Sequence, residues 1–165
     1  MKKALLLITL FTSSLFIHGV AKAQLAVPNE KGLTYGHVHV NVSDMELHKQ
    51  IWTEYFGGVV VQKGFLTAIR LPNMLVALTE AEPTMGSRQT IMDHFGFKVR
   101  DIDAFMAKWR ESGYEYGEYF TGAEGQTNAY VTLPDGVYVE LQEDQSLHVP
   151  VMGYHVHFRT AMYEE

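Results

Sequence analysis

Residues 33–44 read LTYGHVHVNVSD, and from His37 onward polar side chains alternate with valines. This period of two predicts a half-buried strand, and the Ser-Asp pair that follows it is typical of a helix N-terminus. Because successive side chains of a strand point to opposite faces, His37, His39 and Asn41 share one face and the three valines share the other. We therefore expect a strand with one core face and one face that carries imidazoles.

The same pattern returns in residues 93–101, which read DHFGFKVRD. A gapless alignment of His37 with His94 also pairs four further positions: Val42 with Val99, Asp44 with Asp101, Trp52 with Trp109 and Glu54 with Glu111. Such matches between rare residue types are typical of an internal repeat. The sequence therefore predicts two copies of one unit.

Each copy is predicted to have the order βαβββ. In the first, a strand over 34–42 precedes a helix that begins at Ser43 or Asp44 and ends near Phe56, and extended runs follow at 59–62, 65–70 and 74–79. In the second, the corresponding segments are 91–99, 101–112, 114–120, 128–133 and 137–142. We expect modules at 33–80 and 91–143, followed by a tail at 144–165.

Two segments break the symmetry of the repeat. The tail contains MGYHVHF at 152–158, which resembles the opening of the first strand. It is interpreted as an extra edge strand or as the start of a third module, with a slight preference for the latter. The second copy also holds five extra residues around 121–126, which form either an ordinary hairpin loop or a flap over a site.

Composition excludes several classes of protein. The chain has 47% hydrophobic residues with nine Phe and nine Tyr, enough for a packed core, and it has no Cys. Disulfides, iron–sulfur clusters and cysteine zinc sites are therefore excluded, and any metal would be held by nitrogen and oxygen. The net charge of −6 argues against nucleic-acid binding.

The first 23 residues have the layout of a secretory signal peptide. Met1-Lys2-Lys3 is a basic start, a mostly apolar run reaches Phe16, and Ala21-Lys22-Ala23 is a small-residue cleavage site. The apolar run is short for a membrane anchor. We expect a periplasmic or secreted protein that has no membrane segment after cleavage.

Three side chains are candidates for one metal site. His37 and His94 occupy matching positions, and Glu140 lies on the last strand of the second module, on the face opposite Val139 and Leu141. If the paired modules curl into a shared cup, two imidazoles and one carboxylate meet at its floor. That set suits a first-row divalent metal and leaves coordination positions open.

At this point the chain resembles the vicinal oxygen chelate superfamily, which includes glyoxalase I-like enzymes, extradiol dioxygenases and fosfomycin-resistance proteins. The resemblance covers 34–143 and rests on the paired βαβββ units, a His seven residues before a helix-starting Asp in both, and a Pro-Asp-Gly turn before a strand Glu. It implies an α+β fold whose two modules form a cup-shaped mixed sheet with helices on the convex side. It also implies Fe, Mn, Zn or Ni bound by His37, His94 and Glu140. The equivalent of Glu140 in the first module is Leu78 or Ala77, so the pattern is similar to the three-ligand branches.

Other side chains have both a functional and a structural interpretation. His39 and Tyr138 are candidate catalytic acid or base groups, although a strand His is often structural and a Tyr often packs in a core. Tyr130 is a further candidate of the same kind. Lys98 could neutralise an anionic substrate, His155 and His157 could bind metal, and His48 is interpreted as structural. A cupin barrel also opens with His-x-His, but Asp44 and a helix follow here.

The resemblance leads us to expect an exported metal-dependent enzyme acting on a small substrate that chelates the metal through vicinal oxygens. A dioxygenase-like use is slightly favoured because the ligand set has two His and one carboxylate. The alternative is a non-catalytic small-molecule or metal-binding protein of the bleomycin-resistance type. The sequence leaves open whether the cup forms within one chain or between the chains of a homodimer.

Overall fold

The structure is a computed structural model that describes residues 30–34 and 36–160. The predicted signal peptide, residues 1–23, lies outside the described residues. The described residues form two helices and nine strands in the order β1-α1-β2-β3-β4-β5-α2-β6-β7-β8-β9, with a short 3-10 turn between β7 and β8. Within this part of the chain no helix combines the length and the apolarity needed to cross a bilayer.

The first module is one four-stranded sheet with one helix. Its strands are β1 (His37–Val42), β2 (Val59–Lys63), β3 (Leu66–Leu71) and β4 (Met74–Glu80), and α1 spans Met45–Glu54. The strand order is β1-β4-β3-β2, with β1 parallel to β4 and the other pairs antiparallel. The parallel pair needs a crossover connection, which α1 begins.

The second module repeats this arrangement and adds one strand. It consists of β5 (Met92–Val99), α2 (Ile102–Glu111), β6 (Phe120–Thr121), β7 (Thr127–Leu133) and β8 (Val137–Glu143), and β9 (Val151–Phe158) follows. The order β6-β7-β8-β5-β9 places β9 antiparallel along the outer edge of β5. In the first module the corresponding edge, that of β1, is a sheet edge within the described residues.

Both helices begin at the repeated aspartate. The Asp44 carboxylate accepts a hydrogen bond from the Leu47 N–H at 2.9 Å, and the Asp101 carboxylate accepts one from the Ala104 N–H at 2.8 Å. Each satisfies a backbone donor that the first helical turn leaves without an intrahelical partner. The repeated aspartate is therefore the N-cap residue at the same position of each module.

One aromatic core joins the modules. The Trp52 and Trp109 side chains on α1 and α2 are fully buried. Trp52 contacts Phe95 and Phe97 of β5, at centroid distances of 6.0 and 5.9 Å, so the helix of the first module packs on a strand of the second. The helices thus cover the apolar faces of the sheets and leave the histidine faces of β1 and β5 on the other side.

The two equivalent turns also tie the modules together. In the second module the 3-10 turn at Pro134–Gly136 carries Asp135 at φ 62°, and its carboxylate accepts hydrogen bonds from the Ser43 N–H and hydroxyl at 2.8 and 2.7 Å. In the first module the turn before β4 carries Asn73 at φ 65°, and its amide donates to the Gly153 carbonyl at 3.0 Å. Asp and Asn tolerate this left-handed conformation better than most residues. Each module is therefore held by the other's turn.

The predicted α+β fold of two βαβββ modules is confirmed, with one sheet in each module. The main local difference is β6, predicted at 114–120 and found only at Phe120–Thr121. The preceding residues run beside β7 through an isolated Tyr116–Val131 bridge and a Gly117 N–H bond to the Tyr130 carbonyl at 2.8 Å, without a regular ladder. The tail contributes β9, and its interpretation as the start of a third module stays a prediction.

Candidate metal centre

Two of the predicted ligands meet on neighbouring strands. β5 and β8 run parallel, which sets His94 on β5 beside Glu140 on β8. The His94 Nε2 atom lies 3.1 Å from Glu140 Oε2, and the two residues are only 3% and 7% exposed. At this distance the carboxylate and the imidazole form a buried polar pair.

A third side chain joins this pair from β9. His155 Nε2 lies 3.1 Å from the same oxygen, Glu140 Oε2. One potential ligand atom from each of His94, Glu140 and His155 falls within 4.8 Å of the others, and within the described residues this is the group that meets that criterion. We call these three residues the His–Glu–His group.

Hydrogen bonds from neighbouring residues orient the group. Asp93 Oδ1 lies 2.7 Å from His94 Nδ1, and the Asn128 amide donates to Glu140 Oε1 at 2.8 Å. Asp93 in turn accepts hydrogen bonds from the Gln89 N–H at 2.7 Å and from Arg159 at 3.3 Å. Without an ion, Nε2 donates to the ionised Glu140; an ion that replaced this proton would bind Nε2 while Nδ1–H stays directed to Asp93, the arrangement that a metal-binding imidazole needs.

Burial and hydrogen bonding shift the proton affinities in opposite directions. Burial alone would lower the pKa of His94, but hydrogen bonds to Glu140 and Asp93 outweigh it and raise that pKa above its ordinary value. Burial would raise the pKa of Glu140, yet hydrogen bonds with His155, His94 and Asn128 hold it well below the usual range. Glu140 is therefore ionised at neutral pH and offers an anionic oxygen.

The donor set fits a divalent metal. Metal–nitrogen and metal–oxygen bonds to an ion such as zinc are about 2.0–2.2 Å long, so two donors are about 3 Å apart on an octahedral ion and about 3.4 Å apart on a tetrahedral one. The His94–Glu140 and His155–Glu140 distances, both 3.1 Å, agree with this spacing. Two imidazoles and one carboxylate on one side also leave coordination positions open for a substrate.

The third predicted ligand, His37, lies elsewhere. It is exposed on β1 in the other sheet, where its ring packs against that of His39 at 4.7 Å, and it does not belong to the His–Glu–His group. One chain therefore brings His94 and Glu140 together with His155 instead of His37, and the assignment of His37 as a ligand stays a prediction. The strand register also resolves the choice between Leu78 and Ala77. His39 pairs with Ala77 as Gly96 pairs with Glu140, so Ala77 takes the place of Glu140 and cannot bind metal.

The two predicted catalytic residues differ in their relation to the group. The Tyr138 ring lies 6.0 Å from the His94 ring and stacks on Tyr130 at 4.6 Å, and the Arg88 guanidinium carbon lies 5.1 Å from the centroid of the Tyr138 ring. Burial and the charge of Glu140 raise the pKa of Tyr130 to about 12. His39 instead lines a separate cavity of about 210 Å³ together with Phe95 and Asp135.

A cavity of about 270 Å³ opens onto Glu140. The inserted loop forms one wall, Phe120 and Tyr154 contribute aromatic rings, and the floor is largely amide; the lining comprises Phe120, Thr121, Gly122, Ala123, Glu124, Gln126, Asn128, Glu140, Gln142 and Tyr154. Among these described residues there is no Lys or Arg. Lys98 lies beside the cavity, 4.7 Å from the Tyr154 ring, but its ammonium is paired with Asp144 at 3.0 Å. A larger hollow of about 520 Å³ beside α1 contains no member of the His–Glu–His group.

The comparison with family models agrees with this architecture. Residues 34–141 match the model of the Glyoxalase/Bleomycin resistance protein/Dioxygenase superfamily. The chain belongs to this superfamily. The matched segment includes both modules up to the strand that carries Glu140 and excludes β9, so the superfamily's shared unit contains two members of the His–Glu–His group and β9 lies beyond it.

Solved structures of the superfamily's fold are similar to this chain. Lactoylglutathione lyase from Agrobacterium tumefaciens aligns with a TM-score of 0.51 and 17% identity, over 66% of this chain and 92% of its own. Fosfomycin resistance protein FosX from Mesorhizobium loti gives 0.54 and 18%, over 69% and 92%. A virulence protein from Salmonella typhimurium gives 0.51 and 24%, over 66% and 94%. The comparison with curated proteins finds no match.

The superfamily pattern did not indicate two orienting residues, Asp93 and Asn128. Asp93 immediately precedes His94, and a carboxylate next to a candidate ligand is a signal that sequence reasoning could have used. Asn128 carries no such signal, because only the pairing of β7 with β8 places it near Glu140. The His-x-His context makes His155 a candidate metal ligand, but it does not indicate the strand with which β9 pairs.

Proposed function

We propose that this chain is an exported metal-dependent enzyme of the glyoxalase/dioxygenase type, acting on a small substrate that offers two adjacent oxygens. The observation that carries the proposal is the approach of His94 Nε2 and Glu140 Oε2 to 3.1 Å in a buried site that opens to a cavity. The fold alone does not carry it, because one fold hosts many activities. The proposal therefore rests on the donor atoms and on the space beside them.

The residues divide the work at such a site. His94 and Glu140 would hold the ion, with Asp93 and Asn128 fixing their orientation through the hydrogen bonds described above. When bound, a divalent ion supplies Lewis acidity toward the adjacent oxygens of a substrate or, as iron, reactivity with dioxygen. The apolar faces of Phe120 and Tyr154 would position a small substrate and exclude water from it.

The electrostatics of the cavity support the dioxygenase-like choice. Its described lining contains Glu124 and Glu140 but no cationic side chain, and neighbouring Lys98 is neutralised by Asp144. Because Glu124 and Glu140 offset the two positive charges of a bound ion, the lining adds no positive charge that would favour a substrate with several negative charges. An uncharged ring that carries adjacent hydroxyls suits the amide floor and the aromatic wall better than an anionic thiol adduct or a phosphonate.

The second candidate is a binding protein that captures a ligand or a metal without turnover. The side chains next to Glu140 on the cavity floor are the amides of Gln126, Asn128 and Gln142. Amides hydrogen-bond a ligand but do not transfer protons at neutral pH. This composition suits capture as well as chemistry, so turnover has to be measured directly.

Elemental analysis of the purified protein tests the metal centre. We expect about one equivalent of Fe, Mn, Zn or Ni, and loss of that metal in H94A and E140A, since each removes a donor atom. H148A and E46Q change an exposed His and an exposed Glu outside the group and serve as matched controls. A wild-type protein that takes up none of these metals would contradict the proposal.

A substrate screen separates the enzyme from the binding protein. We expect turnover of a catechol by the metal-loaded protein and none by E140A, with 2-oxoaldehydes as the comparison class. Saturable binding without product would favour the second candidate. Export is tested separately, because processing of the full chain in cells should yield a mature N-terminus at Gln24.

A further inference from the structure

The strand β9 repeats the residue pattern of β1. β1 contains His37-Val38-His39 and β9 contains His155-Val156-His157. β9 lies antiparallel along the outer edge of β5; in the first module the equivalent edge, that of β1, has no neighbouring strand among the described residues. The second module therefore has a His-x-His strand beside its own ligand strand.

An irregular register turns the β9 imidazoles toward Glu140. His94 pairs with His157 and Gly96 with His155, whereas Phe97 pairs with Gly153, so β9 has one extra residue, Tyr154, at this point. A one-residue shift in register moves every side chain to the opposite face of a sheet. Without the extra residue, Phe95 would face His155, and the imidazole would lie on the aromatic core side. β-bulges often re-aim a side chain next to a functional site in this way.

Gly96 supplies the space for the His155 ring. A Cβ atom placed on Gly96 would lie 2.3 Å from His155 Cε1 and 2.9 Å from its Nε2. The backbone of Gly96 is not in the left-handed region, so any L-residue could adopt its conformation. What Gly96 provides is room, and that room lets His155 cross β5 and reach Glu140.

The first module holds this part of β9 in place. The Gly153 N–H donates to the Pro72 carbonyl at 2.8 Å, and the Asn73 amide donates to the Gly153 carbonyl at 3.0 Å. Gly153 also packs so tightly on Met74 that a Cβ would lie 2.3 Å from the Met74 Cβ. These contacts of Gly153 lie two residues before His155. They therefore fix the backbone of β9 close to the point from which the His155 side chain extends toward Glu140.

We propose that β9 is a ligand strand, which completes the metal centre of its own chain with His155 in place of His37. Gly96 and the turn of the first module are the positioning features that deliver the imidazole. This inference rests on the proposed metal centre at His94 and Glu140, and it adds that the third ligand comes from outside the two-module repeat.

A stability cycle without metal tests the placement of His155. We expect G96A to lower the melting temperature of the metal-free protein by about 3 °C or more, because the new methyl group collides with the imidazole. In an H155A background the same change should leave the melting temperature unchanged or slightly higher, since Ala is favoured over Gly in a strand. Equal effects of G96A in both backgrounds would overturn the placement.

Metal titration by calorimetry, with Zn²⁺ as the probe, tests the ligand role. We expect H155A to weaken Zn²⁺ binding about 100-fold or more, exceeding the 10–100-fold that loss of an orienting partner usually costs. G96A should weaken it in the wild-type background and not further in H155A. H148A removes an exposed imidazole outside the group and H37A removes the predicted ligand of the first module, and both should retain the wild-type affinity within about threefold.

The outcomes separate the two proposals. Weak binding in H37A with normal binding in H155A would overturn the ligand strand and leave the metal centre in place. If the wild-type protein binds no Zn²⁺, the metal centre fails, and His155 is then no ligand whatever the stability cycle shows. Non-additive melting temperatures together with selective loss of Zn²⁺ affinity in H155A would support the inference in full.

Discussion

Asp93 is the residue on which the orientation of His94 depends. Its carboxylate lies 2.7 Å from His94 Nδ1 and is itself held by the Gln89 N–H and by Arg159. Burial would raise the pKa of Asp93, but hydrogen bonds to His94, Gln89 and Arg159 outweigh it and lower that pKa, so the carboxylate is ionised at neutral pH. The carboxylate that orients His94 therefore belongs to the residue that directly precedes it in the sequence.

We predict that D93A weakens Zn²⁺ binding by about 10–100-fold, because His94 loses the acceptor that fixes its ring and tautomer. D93N keeps an acceptor oxygen and should recover part of this loss. Calorimetric titration of the two variants checks the order of affinities. Equal affinities in wild type and D93A would show that His94 is oriented by packing alone.

At the scale of elements, α1 and the turn before β8 form a polar clasp. His48 on α1 is fully buried, and its Nε2 lies 3.1 Å from Asp135 Oδ2. Burial lowers the pKa of His48 and outweighs the attraction of Asp135, which would raise it. The interpretation of His48 as a structural residue agrees with this placement, since His48 pairs with Asp135 and does not belong to the His–Glu–His group.

The clasp predicts a pH dependence of stability. Because the pKa of His48 is lower in the folded than in the unfolded chain, the unfolded chain binds the extra proton first, and stability falls as the pH drops below about 6.5. We expect the free energy of unfolding to decrease more between pH 7.5 and pH 5.5 in the wild type than in H48Q, because glutamine at this position does not titrate. Denaturant unfolding at both pH values measures the difference.

The same comparison excludes competing titrations. The pKa of His94 is raised in the fold, so His94 changes stability in the opposite direction over this range, and it does so in both proteins. Only the difference between wild type and H48Q reports on the clasp. A larger loss of stability on acidification in H48Q than in the wild type would contradict the sign.

At the scale of the whole molecule, the modules exchange support through their equivalent turns. Asp135 of the second module holds the start of α1, and Asn73 of the first module holds β9. A shared aromatic core between α1 and β5 keeps these contacts in register. The first module, which contributes no member of the His–Glu–His group, therefore still supports the site.

We predict that N73G weakens Zn²⁺ binding by about 2–10-fold, the usual net worth of one hydrogen bond. Glycine keeps the left-handed turn conformation, so the substitution removes the amide donor to Gly153 without straining the backbone. In an H155A background N73G should have no further effect on affinity. A loss of the same size in both backgrounds would show that the turn does not act through β9.

Local sequence patterns were sufficient to predict the two modules, their helix starts and the proximity of His94 to Glu140. These follow from local causes, because period-two strands, Asp caps and Gly stops act within a few residues, and the repeat shows the same pattern twice. His94 and Glu140 lie on strands of one module, whose pairing the βαβββ order already fixes. Both helix caps and the strand faces are found where the pattern predicted them.

The identity of the third side chain beside that pair depends on contacts between distant segments of the chain. The choice between His37 and His155 depends on which strand occupies the free edge of β5, and on a one-residue bulge opposite Gly96. Strand edges are matched by contacts between residues far apart in the chain, and a shift of one residue reverses which side chains face the site. A local sequence pattern cannot specify such a register. The contact between His155 and Glu140 therefore could not be predicted from any single segment of the sequence.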